Sequence, residues 1–259
     1  MGMRRHKRKR APASYVKRFY RNYAVKSGLT SSYVRQQETD LHILAESAVT
    51  AEAAVLVSRY RLQIEEYIEK YQAFGRSLTP LPLDPLAPPI VRDMMKAAAA
   101  ASVGPMAAVA GALSHYVCQG LIDAGYKEVI VENGGDICLQ RSRESLLAIF
   151  AGESPLSNRI GIKVQSHGRP VGVCTSSGTV GHSLSMGDAD SVTVVAPAAV
   201  LADAAATRLA NEAGIKGHAQ DKVQQVLAVA DCLTGIAGVL VICGEVMGAK
   251  GAIELVPLD

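Results

Sequence analysis

The chain of 259 residues has no tryptophan, three phenylalanines and only 5% aromatic residues. A core built without large rings must be aliphatic, and Ala, Val, Leu and Ile supply it. A stacking surface for single-stranded nucleic acid needs aromatics interleaved with basic residues, and the body of the chain lacks that pattern. No run of about 18 apolar residues is free of polar interruption, which excludes an obvious membrane span. The start of the chain has no apolar segment of the kind that follows the basic start of an export signal, so the expected location is cytoplasmic. The five cysteines (Cys118, Cys138, Cys174, Cys232 and Cys243) include no CxxC pair and match no zinc framework. Reduced, mostly buried thiols are expected.

Acid is missing from residues 1 to 26, which hold ten Lys or Arg. The remaining 17 bases face 24 acids, so the positive net charge belongs to a tail and the body is acidic. A run such as Arg4 to Arg10 reads either as a solvated, disordered leader or as a patch for nucleic acid or anionic lipid. Outside the tail, nucleic acid is not an expected partner.

What is present indicates an α+β fold. Residues 33 to 44 read as extended, and Thr50 reads as the N-cap of an amphipathic helix over residues 51 to 71. Five prolines between positions 77 and 89 mark an extended connector. Helices are expected over 90–101, 106–124, 200–213 and 222–232. Strands are expected over 127–132, 137–140, 145–150, 159–165, 170–175, 191–196, 239–243 and 252–256. Strands in consecutive hairpins, with helices grouped between them, argue for a mainly antiparallel sheet packed with helices. The expected organisation is a tail (1–26) and one domain (27–259). That domain comprises an N-terminal subunit (27–76), the connector (77–89) and a main body (90–259).

Three segments carry candidate chemistry. Glu132-Asn133-Gly134-Gly135-Asp136 places two glycines between carboxylates, and its backbone can approach a ligand closely with N–H groups exposed. An ordinary Asn-Gly hairpin turn has the same sequence. Thr175-Ser176-Ser177-Gly178 follows an apolar strand and leads to His182, and its hydroxyls and free N–H groups suit phosphate. A polar surface loop accounts for it equally well. In Ala202-Asp203-Ala204-Ala205-Ala206-Thr207, Asp203 and Thr207 share one helix face. They offer a carboxylate and a hydroxyl to a hard cation such as Mg2+. The alternative is an acid in the first turn of a helix, stabilised by the dipole.

The order of these motifs resembles the ApbE family of FAD:protein FMN transferases, formerly called thiamine biosynthesis lipoproteins. The series runs from Val131 to Ile137, then Thr175 to Gly178, His182, Ser191 to Ala196, and Ala202 to Thr207. The resemblance spans about residues 95 to 215. The segments Gln37 to Leu41 and Ser102 to Gly111 are similar to an ApbE-related branch. The resemblance implies Mg2+ held by Asp203, Thr207 and a backbone carbonyl near Ala107. It implies FAD or another phosphorylated nucleotide beside Glu132, Asn133, Gly134, Gly135 and Asp136, with Thr175, Ser176, Ser177 and Gly178 along the diphosphate. His182 and Asp203 stand as the candidate catalytic groups. A protein acceptor is implied, and a homodimer stays open. Three expected features depart from the family: Ala110-Gly111 stands where the family has Lys-Gly, the His-x-x-Asp-Pro-x-Thr-Gly stretch is reduced to residues 182 to 188, and no lipoprotein signal is read at the start. Three readings follow: a Mg2+-dependent flavin or nucleotide transferase, a binding module that has lost transfer chemistry, and a nucleic-acid-associated protein acting through its basic tail.

Overall fold

The computed structural model describes residues 28–178, 187–214 and 216–258. Eleven described strands form two sheets in which every pairing is antiparallel. The chain opens with β1 (Thr30–Gln36), β2 (Thr39–Ala45), α1 (Thr50–Lys70) and the short α2 (Gln72–Arg76). After the proline-rich connector come α3 (Pro89–Ala101), a 3₁₀ turn (Pro105–Ala108) and α4 (Val109–Asp123). Strands β3 (Val129–Asn133), β4 (Asp136–Gln140), β5 (Ser145–Ala148), β6 (Ile160–Val164), β7 (Val171–Ser176) and β8 (Ser191–Ala196) follow. The chain ends with α5 (Ala199–Glu212), α6 (Ala219–Ala230), β9 (Gly238–Cys243), β10 (Val246–Gly251) and β11 (Glu254–Pro257).

The large sheet runs β1-β2-β3-β4-β7-β8-β9-β10, and the small one runs β11-β6-β5. Side chains alternate across a strand, so each strand of the large sheet feeds two cores. Leu41, Ile43, Val129, Val131, Cys138, Cys174, Val192 and Val194 pack against Val57, Val117, Leu121 and Leu209 of the helices. Leu44, Ile130, Leu139, Val173, Val195, Leu240 and Ile242 pack on the other face, against Ile160, Ile162 and Val164 of the small sheet. This double cover explains why β8 and β9 are buried along their whole length. A third, all-helical cluster joins α1, α2, α3 and the 3₁₀ turn through Ile64, Phe74, Ile90, Met94 and Ala108.

The antiparallel α+β fold is as the sequence indicates, with four local differences. The extended stretch 33–44 is half of a hairpin that turns at Gln37-Glu38, since Gln36 pairs with Thr39. Polar turn residues without Gly or Pro hid that turn, which Gln37 makes with φ of 52°. Thr50 is not the N-cap: Val49 holds that position, and no side chain caps the helix. The segment 244–251, between the expected strands 239–243 and 252–256, contains β10, which is glycine-rich and mostly exposed. Asp203 lies beyond the first turn of α5, which carries no acid there. Four cysteines are buried and Cys232 is exposed. Among the described residues no single helix is long and apolar enough to cross a membrane.

Arg61 of α1 ties the first hairpin down. Its guanidinium donates to Thr39 Oγ1 at 2.6 Å, Gln37 Oε1 at 2.9 Å, Glu38 Oε2 at 3.0 Å and Glu65 Oε1 at 2.6 Å. Arg61 is buried, whereas both carboxylate partners reach solvent. Removing the arginine therefore strands no buried charge, and Arg61→Ala is expected to lower stability by about 1–3 kcal/mol. Urea unfolding measures this, and Arg61→Lys should recover only part of the loss because an ammonium lacks the planar fork.

Candidate functional site

The hairpin between β3 and β4 is closed by two residues, Gly134 and Gly135, with φ of 71° and 112°. Both values are left-handed, which glycine adopts without strain. Asn133 and Asp136 are the last paired residues, and alternation turns both toward the helices. Glu132 points to the opposite face, where its Oε1 accepts the Gly135 N–H at 3.0 Å and fixes the turn.

The start of α4 and the middle of α5 meet this hairpin. Asp203 Oδ2 accepts the Gly111 N–H at 2.7 Å. The N-cap residue of α4, Ala108, has no capping side chain, so the carboxylate of another helix does that work. Asn133 Nδ2 donates to the Ala110 carbonyl at 3.2 Å and joins the turn to the same segment. One helical turn beyond Asp203, the Thr207 hydroxyl stands 3.5 Å from the Ala107 carbonyl. Such proximity of backbones requires small residues. A Cβ on Gly111 would lie 2.4 Å from the Ala199 carbonyl oxygen and 2.6 Å from Asp203 Cβ.

Burial sets the electrostatics. The Asp136 carboxyl is pushed well above the usual carboxylate range by desolvation and then by the charge of Asp203, while the Cys174 thiol and the Thr175 N–H pull it back. Asp203 is pushed up to about 7 by burial, against the Gly111 and Ala110 N–H groups that favour its charged form. The Cys174 thiol, which donates to the Ala199 carbonyl at 3.3 Å, is raised by burial and by both carboxylates. No lysine or arginine is among the groups that shift either aspartate. Two buried carboxylates with no side-chain cation beside them among the described residues make a site that favours a proton or a bound cation.

The donor set discriminates among cations. Asp203, Thr207 and the Ala107 carbonyl offer oxygen alone. Among the described residues no group of three or more His, Cys, Asp or Glu could hold a metal by itself. Zinc and calcium sites need fuller protein cages, whereas Mg2+ is held by one or two carboxylates with waters and phosphate oxygens. The residues present therefore fit Mg2+ with a phosphorylated ligand. Ser176 adds a second indication: its hydroxyl is buried on the helix-facing side of β7 and has no hydrogen-bond partner among the described residues.

The structure thus gathers Ala107, Asn133, Asp136, Ser176, Asp203 and Thr207 on the helix side of the sheet around the Gly134–Gly135 turn. Thr175 and Glu132 fall on the opposite face, and the Thr175 hydroxyl meets that of Thr193 at 2.8 Å. The Gly178 N–H donates to the Ala189 carbonyl at 3.0 Å. Ser177 immediately precedes it. His182 lies outside the described residues. Sequence reasoning did not single out Gly111 or Cys174 as site residues. A glycine inside a helical pattern was the available signal for the first; a cysteine in an apolar strand gave none for the second.

A family model described as "AbpE bacteria" matches residues 23–244. The chain belongs to this family. A UPF0280 protein of Methanococcus aeolicus is 43% identical over 206 residues, covering 78% of this chain and 82% of the relative. A UPF0280 protein of Methanosarcina acetivorans is 40% identical over 218 residues, covering 84% and 85%. Among solved structures, the flavin transferase ApbE from Vibrio cholerae superposes with a TM-score of 0.56 at 13% identity, covering 86% of this chain and 97% of that one. The flavinyl transferase ApbE of Pseudomonas stutzeri gives 0.54 at 12% identity, covering 86% and 95%. At these identities the solved structures establish the fold. The ApbE resemblance read from the motifs is borne out for family and architecture.

Proposed function

We propose that this protein binds a phosphorylated nucleotide, a flavin nucleotide first among them, together with Mg2+, and acts in transfer of its phosphoryl-linked part to an acceptor. The observation that carries this reading is the buried pair Asp136 and Asp203, which no lysine or arginine among the described residues offsets, set beside the Thr207 hydroxyl and the Ala107 carbonyl. Asp203, Thr207 and the carbonyl of Ala107 would hold the metal. Bound Mg2+ would neutralise charge building on a diphosphate as a hydroxyl attacks it. The chain's own contribution is placement. The Gly134–Gly135 turn lets phosphate approach bare backbone, and Asn133 holds the Ala110–Gly111 segment against it. Ser176 offers its unpartnered hydroxyl to a phosphate oxygen. His182 is proposed as the proton-transfer group, on the resemblance alone.

Purified protein incubated with FAD and Mg2+, with and without candidate acceptor proteins, is expected to release AMP and retain FMN on the acceptor. Mass spectrometry of the acceptor and chromatography of the nucleotides measure both. A second reading is favoured by Asp203 Oδ2 already serving α4 and by alanine at position 110 in place of the family lysine. On that reading the same pocket binds nucleotide without turnover, so calorimetry detects Mg2+-dependent FAD binding while AMP never appears. Absence of both binding and release sinks the two readings together.

Ser176→Ala separates a ligand-binding hydroxyl from a structural one. The hydroxyl has no partner to lose, so stability is expected to stay within about 0.5 kcal/mol of the parent or rise. Affinity for Mg2+·FAD is expected to fall about three- to tenfold, the worth of one hydrogen bond to a charged oxygen. Unchanged affinity would remove Ser176 from the site.

A further inference from the structure

Helix α1 carries apolar residues on two faces. Ala53, Val57 and Ile64 are buried against the rest of the chain. Val55 and Leu62 lie about 200° around the helix from Ala53 and Ile64. They are 60% and 54% exposed. The outer stripe runs Val55, Arg59, Leu62, Glu66, at the alternating spacing of four and three that lines one helix face. Beside it the proline-rich connector raises Leu86, which is 94% exposed and borders a groove with Gln63, Glu66 and Tyr67. Nine large apolar side chains are exposed among the described residues. Six of them (Val55, Leu62, Tyr71, Leu78, Leu83 and Leu86) belong to α1, its end or the connector. Apolar exposure gathered on consecutive segments, rather than scattered, marks a contact surface.

The charges on this stripe say what fits it. Arg59 and Glu66 are exposed, and neither has an ion-pair partner among the described residues. Arg59 precedes Leu62 by three residues, and Glu66 follows it by four. A helix of the same sequence laid antiparallel across Leu62 therefore sets each Arg59 opposite the other copy's Glu66. The pairing occurs twice about one axis. An anionic membrane or a nucleic acid needs an excess of positive charge, and the stripe holds one charge of each sign. Opposite charges placed on either side of an apolar centre complement a second copy of the same surface.

We propose that this face joins two copies of the chain about a two-fold axis at Leu62, with α1 crossing α1 antiparallel and Leu86 of each copy flanking the crossing. The 21 residues of α1 span about 30 Å. With the connector alongside, a strip roughly 20 Å wide offers about 600 Å2 from each copy, the lower end of what stable interfaces take. The dimer is therefore expected to dissociate in the micromolar range, about 1–100 μM. The contact lies outside the set around Asp203 and stands whether or not a nucleotide binds.

Sedimentation equilibrium of the full chain across that concentration range tests it, and a monomer–dimer equilibrium is expected. Leu62→Glu is expected to raise the dissociation constant tenfold or more, with circular dichroism unchanged because Leu62 is exposed. Arg59→Glu and Glu66→Arg each set like charges face to face, and each is expected to weaken the dimer about fivefold or more. The double variant Arg59→Glu/Glu66→Arg restores opposite charges across the axis and is expected to return to within about threefold of the parent. That rescue separates a direct contact from a change within one copy, and it serves if Leu62→Glu does not fold. A chain that stays monomeric throughout the range refutes the interface. A dimer that Leu62→Glu and both single charge changes leave intact uses another face, which also refutes it. Failure of the double variant to recover overturns the antiparallel crossing at Leu62.

Discussion

Asp203→Asn is expected to abolish Mg2+-dependent binding of FAD while raising the thermal midpoint of the metal-free protein at pH 8. The two effects have one origin. A carboxyl of ordinary value 3.8 unfolded and about 7 folded holds its proton more tightly in the folded chain. Between those values the folded state binds more protons, so stability falls as pH rises. The contribution is complete below pH 3.8 and is lost as pH climbs through 7. At pH 8 the ionised, buried group is expected to cost on the order of 3 kcal/mol. Asparagine keeps the shape and an oxygen for the Gly111 N–H, and carries no charge at any pH. The parent should therefore gain roughly 10 °C in midpoint between pH 8 and pH 5 relative to Asp203→Asn. Mg2+ should recover most of that gain at pH 8 in the parent and none in the variant. Melting curves of both proteins at the two pH values, with and without Mg2+, provide the measurement. Parallel curves, or an equal response to Mg2+, would falsify the placement of the cation at Asp203.

The second large effect is steric. Gly172 of β7 lies under the first turn of α5, and a Cβ there would stand 2.3 Å from Ala199 Cα and 2.4 Å from Ala199 N. Gly111 of α4 meets the same residue from the other side. The neighbours are Ala199 backbone and, for Gly111, the Asp203 Cβ that the α5 backbone fixes, so no side-chain rotation relieves the contact, and either α5 or its partner must move. Gly172→Ala and Gly111→Ala are each expected to lose 3 kcal/mol or more, roughly 10 °C in midpoint, or to yield insoluble protein. Because Ala199 begins the helix that carries Asp203, soluble Gly111→Ala protein should also lose Mg2+ affinity. Midpoints within about 2 °C of the parent would show that α5 retreats freely, and that the site does not depend on this contact.

The two glycines also mark the boundary of what residue patterns convey. Alternation along β3 and β4, the Asn-Gly-Gly-Asp turn and the helical spacing around Asp203 are local features, and local rules read them correctly. The first hairpin failed that reading because Gln37-Glu38 is a polar turn without Gly or Pro, and β10 failed because glycine and exposure mask an edge strand. The apolar pattern of β8 and β9 indicated burial. It did not say that helices cover one face and a second sheet the other.

The sequence by itself determined the antiparallel α+β class, the ordered series of motifs that marks the family, and the types of donor at the candidate site. Each depends on residues near one another in the chain. Tertiary structure decided which donors share a space. Asp203 meets Gly111 across 92 positions, and Thr207 faces Ala107 across 100. Alternation put Asn133, Asp136 and Ser176 on the helix side and Glu132 and Thr175 on the other, dividing two segments that are each contiguous in sequence. The raised Asp136 and Asp203 carboxyls likewise follow from burial, to which the Asp203 charge adds at Asp136, and both arise only when β4, α4 and α5 pack together.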